Sequence, residues 1–346
     1  MAKHKHRRNP LRIDPTRTTM LRKAFGIAIR ARMESVRKAV VQLVLEDDVL
    51  GLDTHVTNAA PMRQAWRFNT AAEKHKMFNR WLKEMIQQKL FTVDTTTGKP
   101  WHAKYIESAY KKGVVRAYIQ THKPELRKSL DFYEGSKEQF LRSSFSTAER
   151  LSKVELIASR TYEELSGVSS TMSQQMSRVL AEGLSNGQNP ITIARRMSKT
   201  ISGISRQRAD RIARTEIIHA HAEGQLDAFE ELGIEEVGAI VEWLTAGDNA
   251  VCELCDHLDG IVMTIDEARG LIPRHPSCRC CWAPAGVGEK ATGRAWRSDT
   301  KLRRLNMSIA AERPRTTLRT ARSKTRWLGK EVKPVTTNPK KRFLLR

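Results

Sequence analysis

All five cysteines of this 346-residue chain fall within 30 consecutive positions: Cys252, Cys255, Cys278, Cys280 and Cys281. An odd, crowded set points to metal rather than to disulfides. The basic start MAKHKHRRNP leads into no apolar run of the kind that directs secretion, so an oxidising compartment is not expected. Two pairs have the spacing of zinc half-sites, Cys252-x2-Cys255 and His275-x2-Cys278, and Pro276 stiffens the second. Zinc takes four sulfur or nitrogen ligands at tetrahedral corners, and a two-residue spacer puts two of them on one knuckle. The expected ligands are therefore Cys252, Cys255, His275 and Cys278. Cys280 is the alternative fourth ligand, because a C-x-C pair can also reach one ion. The expected ion is a structural Zn2+ with no open position, and its binding would act as folding energy for a segment poor in large apolar residues.

The charge of +23 is unevenly placed. Residues 1–40 carry 12 Lys/Arg against 2 Asp/Glu, residues 286–346 carry 18 against 4, and the stretch between is close to neutral. Basic ends with few apolar anchors suit polyanions, nucleic acid first and acidic protein surfaces second. Trp296, Trp327 and Phe343 interleave with the C-terminal charge and could stack on exposed bases. The apolar run Ala39 to Leu45 is too short to span a bilayer, so no membrane partner is expected.

Between the ends the periodicity is helical. Asp14-Pro15 reads as an N-cap followed by Pro at the first helical position, opening a helix from Thr16 to about Glu46. A loop is expected over Gly51 to Phe68. Helices follow at about Ala71 to Leu90, His102 to His122, Lys137 to Arg142, Thr147 to Ser166, Ser169 to Leu184 and Ile191 to Thr200. The strongest runs from Ser205 to about Leu232. There Ala209, Ile212, Ala213, Ile217, Ala220, Gly224 and Ala228 recur at three- and four-residue steps and form a narrow face for close packing, and Gly233 stops the helix. Val237 to Leu244 reads as a strand, and Ile261 to Ile265 as a second candidate. Weak helical signal lies at Ser298 to Ala311.

Two rival readings use the same residues. His221-Ala222-Glu223 followed by Cys252-x2-Cys255 mimics the zinc deaminase signature H-x-E…P-C-x-x-C, in which the Glu moves protons for a zinc-bound water. Against it, Val251 replaces the Pro, and His221 sits inside an unbroken helical pattern. A zinc-dependent nucleic-acid-binding regulator or nuclease would suit the basic ends. However, the pairs lack the finger spacing C-x2–4-C-x12-H-x3–5-H.

The series ADRIARTE (Ala209 to Glu216), Gly233, Trp243, Asp248, VCELCDHLDG (Val251 to Gly260) and HPSCRC (His275 to Cys280) resembles the phage Mu protein F-like family of head morphogenesis proteins. The resemblance spans about Ser166 to Pro284. It implies a structural, non-enzymatic minor capsid protein near the portal, exposed to the head interior and involved in assembly and in handling the genome. Its motif residues here are Arg214, Thr215, Glu216, Asp248, Cys252, Cys255, His275, Cys278, Arg279 and Cys280, with Cys281 as an extension. Arg214 and Glu216 are expected in local ion pairs or loop caps, and Asp248 in a turn leading to Cys252.

The expected fold is a mainly α N-terminal region, a small α+β zinc-stabilised module and basic extended tails. In residue terms this is a basic arm over 1–15, a helical region over 16–165, the Mu F-like unit over 166–285 with its zinc module at 243–284, and a basic tail over 286–346. The expected partners are the portal protein, other head proteins and double-stranded phage DNA through the tails. The expected location is the virion interior, reached from the host cytoplasm during assembly.

Overall fold

The computed structural model describes residues 14–48, 70–122, 136–233 and 240–285. Six long helices come first in the chain: α1 (Thr19–Val41), α2 (Ala71–Leu90), α3 (Ala103–Thr121), α4 (Lys137–Ser146), α5 (Ala148–Ser185) and α6 (Pro190–Glu231). A π-helical turn, Gln42–Glu46, extends α1. The last stretch alternates β1 (Val241–Leu244), a turn of helix α7 (Glu253–Asp256), β2 (Val262–Met263), a turn of helix α8 (Ile265–Ala268) and β3 (Cys281–Pro284). The strands form one antiparallel sheet in the order β2-β1-β3, with Trp243 opposite Trp282. The mainly helical architecture with a small β element near the C-terminal end of the described residues is thus as expected. The third strand, β3, was not.

Local chemistry sets the helix starts. Thr70 with Glu73 and Ser136 with Gln139 form reciprocal capping boxes at α2 and α4. Asn189 accepts the Thr192 amide at the start of α6, and Pro190 occupies the first helical position. Asp14 behaves differently from the expectation. It precedes a turn closed by Arg17 N to Asp14 O, and α1 begins only at Thr19. Its carboxylate still serves the helix start by accepting from the Thr16 and Thr18 amides, the Thr19 hydroxyl and Arg22.

Two expected breaks are not breaks. Ala148–Ser185 is one helix, α5, and Pro190–Glu231 one helix, α6. Gly167 and Gly203 fall at the expected breaks with nothing within 4 Å of where a Cβ would sit, and a glycine costs a helix only about 1 kcal/mol against Ala. Val168, Ile201 and Ile204 are buried beside them and hold the helices straight through.

α6 is the axis of the molecule. It packs against α1, α3 and α5, and its C-terminal half also meets β3 and α8. The small-residue face is buried as expected, but the expected narrowness does not hold. Every residue from Ala220 to Phe229 is buried, because neighbours surround the helix there. The closest crossing is with α3. A Cβ on Gly113 would lie 2.1 Å from the His221 carbonyl oxygen, and one on Gly224 would lie 2.4 Å from that of Tyr110. Only glycines let two backbones approach so closely. Gly233 then ends the run with φ 70°, its amide bonded to Glu230 O.

One apolar core joins helices and sheet, from Phe25 and Phe78 through Tyr110 and Phe229 to Trp243 and Trp282. The two tryptophans meet edge to face, with centroids 5.3 Å apart. The side chain of Gln225 ties the sheet to α6 as a strand backbone would. It donates to Trp282 O at 2.7 Å and accepts from Trp282 N at 3.2 Å. Among the described residues no helix is long and apolar enough to cross a membrane. The basic tail, the basic N-terminal arm apart from Asp14 and Pro15, the Gly51 to Phe68 loop, the first residues of the expected Val237 to Leu244 strand and the Ser298 to Ala311 signal lie outside the described residues.

Candidate metal centre

The two half-sites are carried by different local structures. Cys252 caps the single turn α7, its sulfur accepting the Cys255 amide at 3.4 Å, so both sulfurs of the first pair lie on one knuckle. His275-Pro276-Ser277-Cys278 forms the second. The Cys278 amide bonds to His275 O, Pro276 holds the first corner, and Ser277 takes φ 67° at the second, the pattern of a type II turn. That backbone shape is uncommon for a side chain larger than glycine, and a tether holds it here. The Ser277 amide donates to Thr215 Oγ1 of α6 at 3.1 Å.

A second tether joins the knuckles to each other. Arg279 makes a two-pronged ion pair with Asp248, one arm at 2.6 Å, and Asp248 also accepts the Ala250 amide on the approach to Cys252. The expected turn role of Asp248 is present, and the sequence did not reveal that Arg279 is its partner. Further back, Asp259 accepts the Thr245 amide and Gly260 turns at φ 76°, which brings β2 alongside β1.

These tethers converge the donors. Cys252, Cys255 and His275 form one triple of donor atoms, and Cys255, Cys278 and Cys280 a second, each with its atoms within 4.8 Å of one another. Cys255 belongs to both. His275 Nε2 is 3.2 Å from Cys252 Sγ and 3.2 Å from Cys255 Sγ, and the Cys255 and Cys278 sulfurs are 3.9 Å apart. Around a zinc ion, with bonds of about 2.0–2.3 Å, tetrahedral edges would measure about 3.6 Å for sulfur to nitrogen and about 3.8 Å for sulfur to sulfur.

The protonation logic agrees. His275 Nδ1 lies 2.9 Å from Pro276 O, a carbonyl that can only accept, so Nδ1 carries a hydrogen and Nε2 is the atom left to serve as a ligand. One lone pair cannot take a hydrogen from two thiols at once, but a cation can lie between all three atoms. Hydrogen bonds from Cys255 and then Cys280 hold the Cys278 thiol down, to about 2, and the sharing pushes Cys255 and Cys280 upward. The donor set thus fits a metal: four sulfurs and one imidazole nitrogen are crowded at spacings that a single cation can bridge. Cys281 stands apart. It is fully buried on β3, burial raises its thiol to about 12, and it belongs to neither triple.

The charges of the A-R-T-E run do not make the local ion pairs expected of them. Glu216 is buried, and its partner is Arg160 of α5, Nε to Oε2 at 3.3 Å. Burial lifts this carboxyl to about 7, against the pull of Arg160. Arg214 is exposed and has no carboxylate partner among the described residues. The deaminase arrangement does not form. His221 is wholly buried, its ring nitrogens have no hydrogen-bond partner among the described residues, and burial lowers it to about 3. Glu223 accepts the Gly270 amide at 3.0 Å and sits 3.6 Å from both Lys153 and Arg269, and neither His221 nor Glu223 belongs to the donor triples.

Residues 174–283 match the family described as Phage Mu protein F like protein. This segment contains the last third of α5, all of α6, the donor cluster and nearly all of the sheet. No curated protein and no solved structure matches the chain.

Proposed function

We propose that this chain, whose residues 174–283 carry the Phage Mu protein F-like segment, is a minor head protein of a tailed bacteriophage, built around one structural zinc ion. The observation that carries the reading is the convergence of two knuckles, 20 residues apart at Cys255 and His275, on shared donor atoms inside that family segment. Cys252, Cys255, His275 and Cys278 hold the ion, and Cys280 is the alternative to Cys278. The ion supplies cross-linking and charge neutralisation, which keep the two knuckles and the sheet edge together against α6. The role is structural, not catalytic. The unit comprises about 166–285, with the portal, other head proteins and the packaged genome as partners, and the basic arms reach toward DNA or neighbouring subunits inside the head.

Element analysis of the full-length chain tests the metal. The expected result is one zinc per chain, lost in Cys252→Ser, Cys255→Ser and His275→Ala, and lost in either Cys278→Ser or Cys280→Ser but not in both. A chain that folds with no stoichiometric metal overturns the site. Co-sedimentation with purified heads tests the virion role separately, and a chain that never enters heads overturns that.

A further inference from the structure

We propose that the N-terminal half of α6 is a ridge that docks on the phosphate backbone of duplex DNA, carried by the folded body and separate from the basic arms. It deepens the genome-contact part of the function proposed above, and it rests on how charge is divided along this one helix.

From Pro190 to Thr215, α6 carries seven Lys/Arg and one acid, and from Glu216 to Glu231 it carries five acids and no Lys/Arg. A helix dipole favours the reverse, with acids toward the start and bases toward the end, so helix stability does not explain this order. The acidic half is neutralised from inside the molecule. Arg160 meets Glu216, Lys153 and Arg269 meet Asp227, Arg269 meets Glu230, and Arg150 meets Glu231.

The basic half has no such answer. Arg30 of α1 takes its single acid, Asp210, and only Arg196 finds a carboxylate, Glu182. Arg195, Lys199, Arg206, Arg211 and Arg214 are exposed and have no ion-pair partner among the described residues. Five cations on one helix repel one another, and an anion from outside would relieve that cost.

Their placement identifies the kind of anion. At about 100° per residue, Arg195, Lys199, Arg206 and Arg214 lie within an arc of about 100°, and Arg211 lies about 60° beyond. With a rise of 1.5 Å per residue the ridge is about 28 Å long. Cations strung along one helix over this length suit a repeating polyanion rather than a small phosphate. Duplex DNA presents one phosphate per about 1.7 Å of axis, so a line of this length meets many. The ridge ends beside Thr215, which holds the His275–Cys278 knuckle, so bound DNA would lie against the metal module.

The test is anisotropy titration of a labelled mixed-sequence duplex with the full-length, metal-loaded chain across a range of salt. Replacing Arg195, Lys199, Arg206 and Arg214 with Gln should lower the salt slope by about 3–4 and weaken binding roughly a thousandfold near 0.15 M salt, if each cation meets one phosphate. Replacing the three arginines with Lys should keep the slope, because charge and not a fixed fork geometry is used. On the unaltered chain, DNA should shield Lys199 from acylation and leave Lys83 and Lys89, exposed on α2, reactive.

A ridge variant with the parent's slope, or no protection of Lys199, overturns the proposal, and so does a ridge variant that binds DNA normally but fails to enter heads, since the partner would then be a protein. A full-length chain with Gln at Arg313, Arg315, Arg319 and Arg322 separates the two DNA sites. If only this variant loses affinity, the ridge proposal fails and the reading of the arms stands. If neither variant does, genome contact fails altogether. The metal and head-entry results are independent of all these outcomes.

Discussion

The helices and the Cys/His module at the end of the described residues are held together by different physics. Around α6 the helices are joined by large apolar side chains and by backbones in contact at Gly113 and Gly224, so their register is fixed by close packing. Between Thr245 and Cys280 regular structure comes in pieces of two to four residues; Leu258, Met263, Ile265 and Ile272 anchor the segment to the common core, and named polar tethers set its loops: Asp259 to Thr245, Arg279 to Asp248, Thr215 to Ser277. Where packing dominates, many contacts share the load and one exposed substitution changes little. Where tethers dominate, each one counts, and an ion that joins several at once counts most.

The comparison can be broken most forcefully by removing the proposed metal. Chelation or Cys255→Ser should forfeit on the order of 10–16 kcal/mol of apparent metal-binding energy at neutral pH and unfold the module while most helix remains. Circular dichroism would retain most of its helical signal, and the fluorescence of Trp243 and Trp282 would shift as they meet water. Loss of the helical signal in step with the tryptophans would mean that the two regions do not differ as argued.

The converse experiment strikes the packed side. Gly113→Val or Gly224→Val pushes a side chain into backbone atoms that have no flexible end to move, so a loss of about 3 kcal/mol or more is expected, read as a lowered denaturation midpoint of the whole helical signal. A change below about 1 kcal/mol would show that the α3–α6 crossing is looser than drawn.

A third effect is pH-dependent. Burial raises Glu216 to about 7 from an ordinary 4.5. Below pH 4.5 the carboxyl is protonated in both the folded and the unfolded chain and costs nothing. Between 4.5 and about 7 the unfolded chain ionises while the folded one does not, so stability is lost progressively, and above 7 the loss is complete. Glu216→Gln should therefore be more stable than the parent at pH 8, by roughly 3 kcal/mol, with the difference shrinking to nothing as pH falls toward 4.5. The difference between variant and parent is the quantity to follow, because metal loss at low pH affects both alike. A constant offset across this range would sink the assignment.

The smallest effect belongs to the Arg279–Asp248 pair, whose side chains remain about a quarter exposed. Breaking it with Arg279→Ala should cost about 1 kcal/mol, discounted for solvent, and weaken zinc affinity by roughly tenfold through a looser knuckle. Asp248→Ala and the double variant complete a cycle in which the double variant should cost little more than either single one.

Much of the architecture was legible beforehand because it rests on periodicity and punctuation. α2 appears over the span expected, α3 within a residue of it at each end, and Gly233 stops α6 as a left-handed glycine should. The breaks wrongly expected near Gly167 and at Ile201 to Ile204 show where local reading weakens, since the buried face of a long helix outweighs a local dip in propensity. The donor spacing was legible too, because ligand chemistry confines cysteine and histidine to few patterns.

What sequence alone determined is therefore what neighbouring residues impose on one another: helix starts and stops, the two knuckles, the separation of charge along α6. Tertiary structure alone decided which distant groups meet. It set Arg279 on Asp248, Thr215 under Ser277, Gln225 against the edge of β3 and Arg160 over Glu216. Each of these pairs spans 31 to 62 residues of chain. No periodicity encodes a contact at such a separation, because it depends on how whole helices pack.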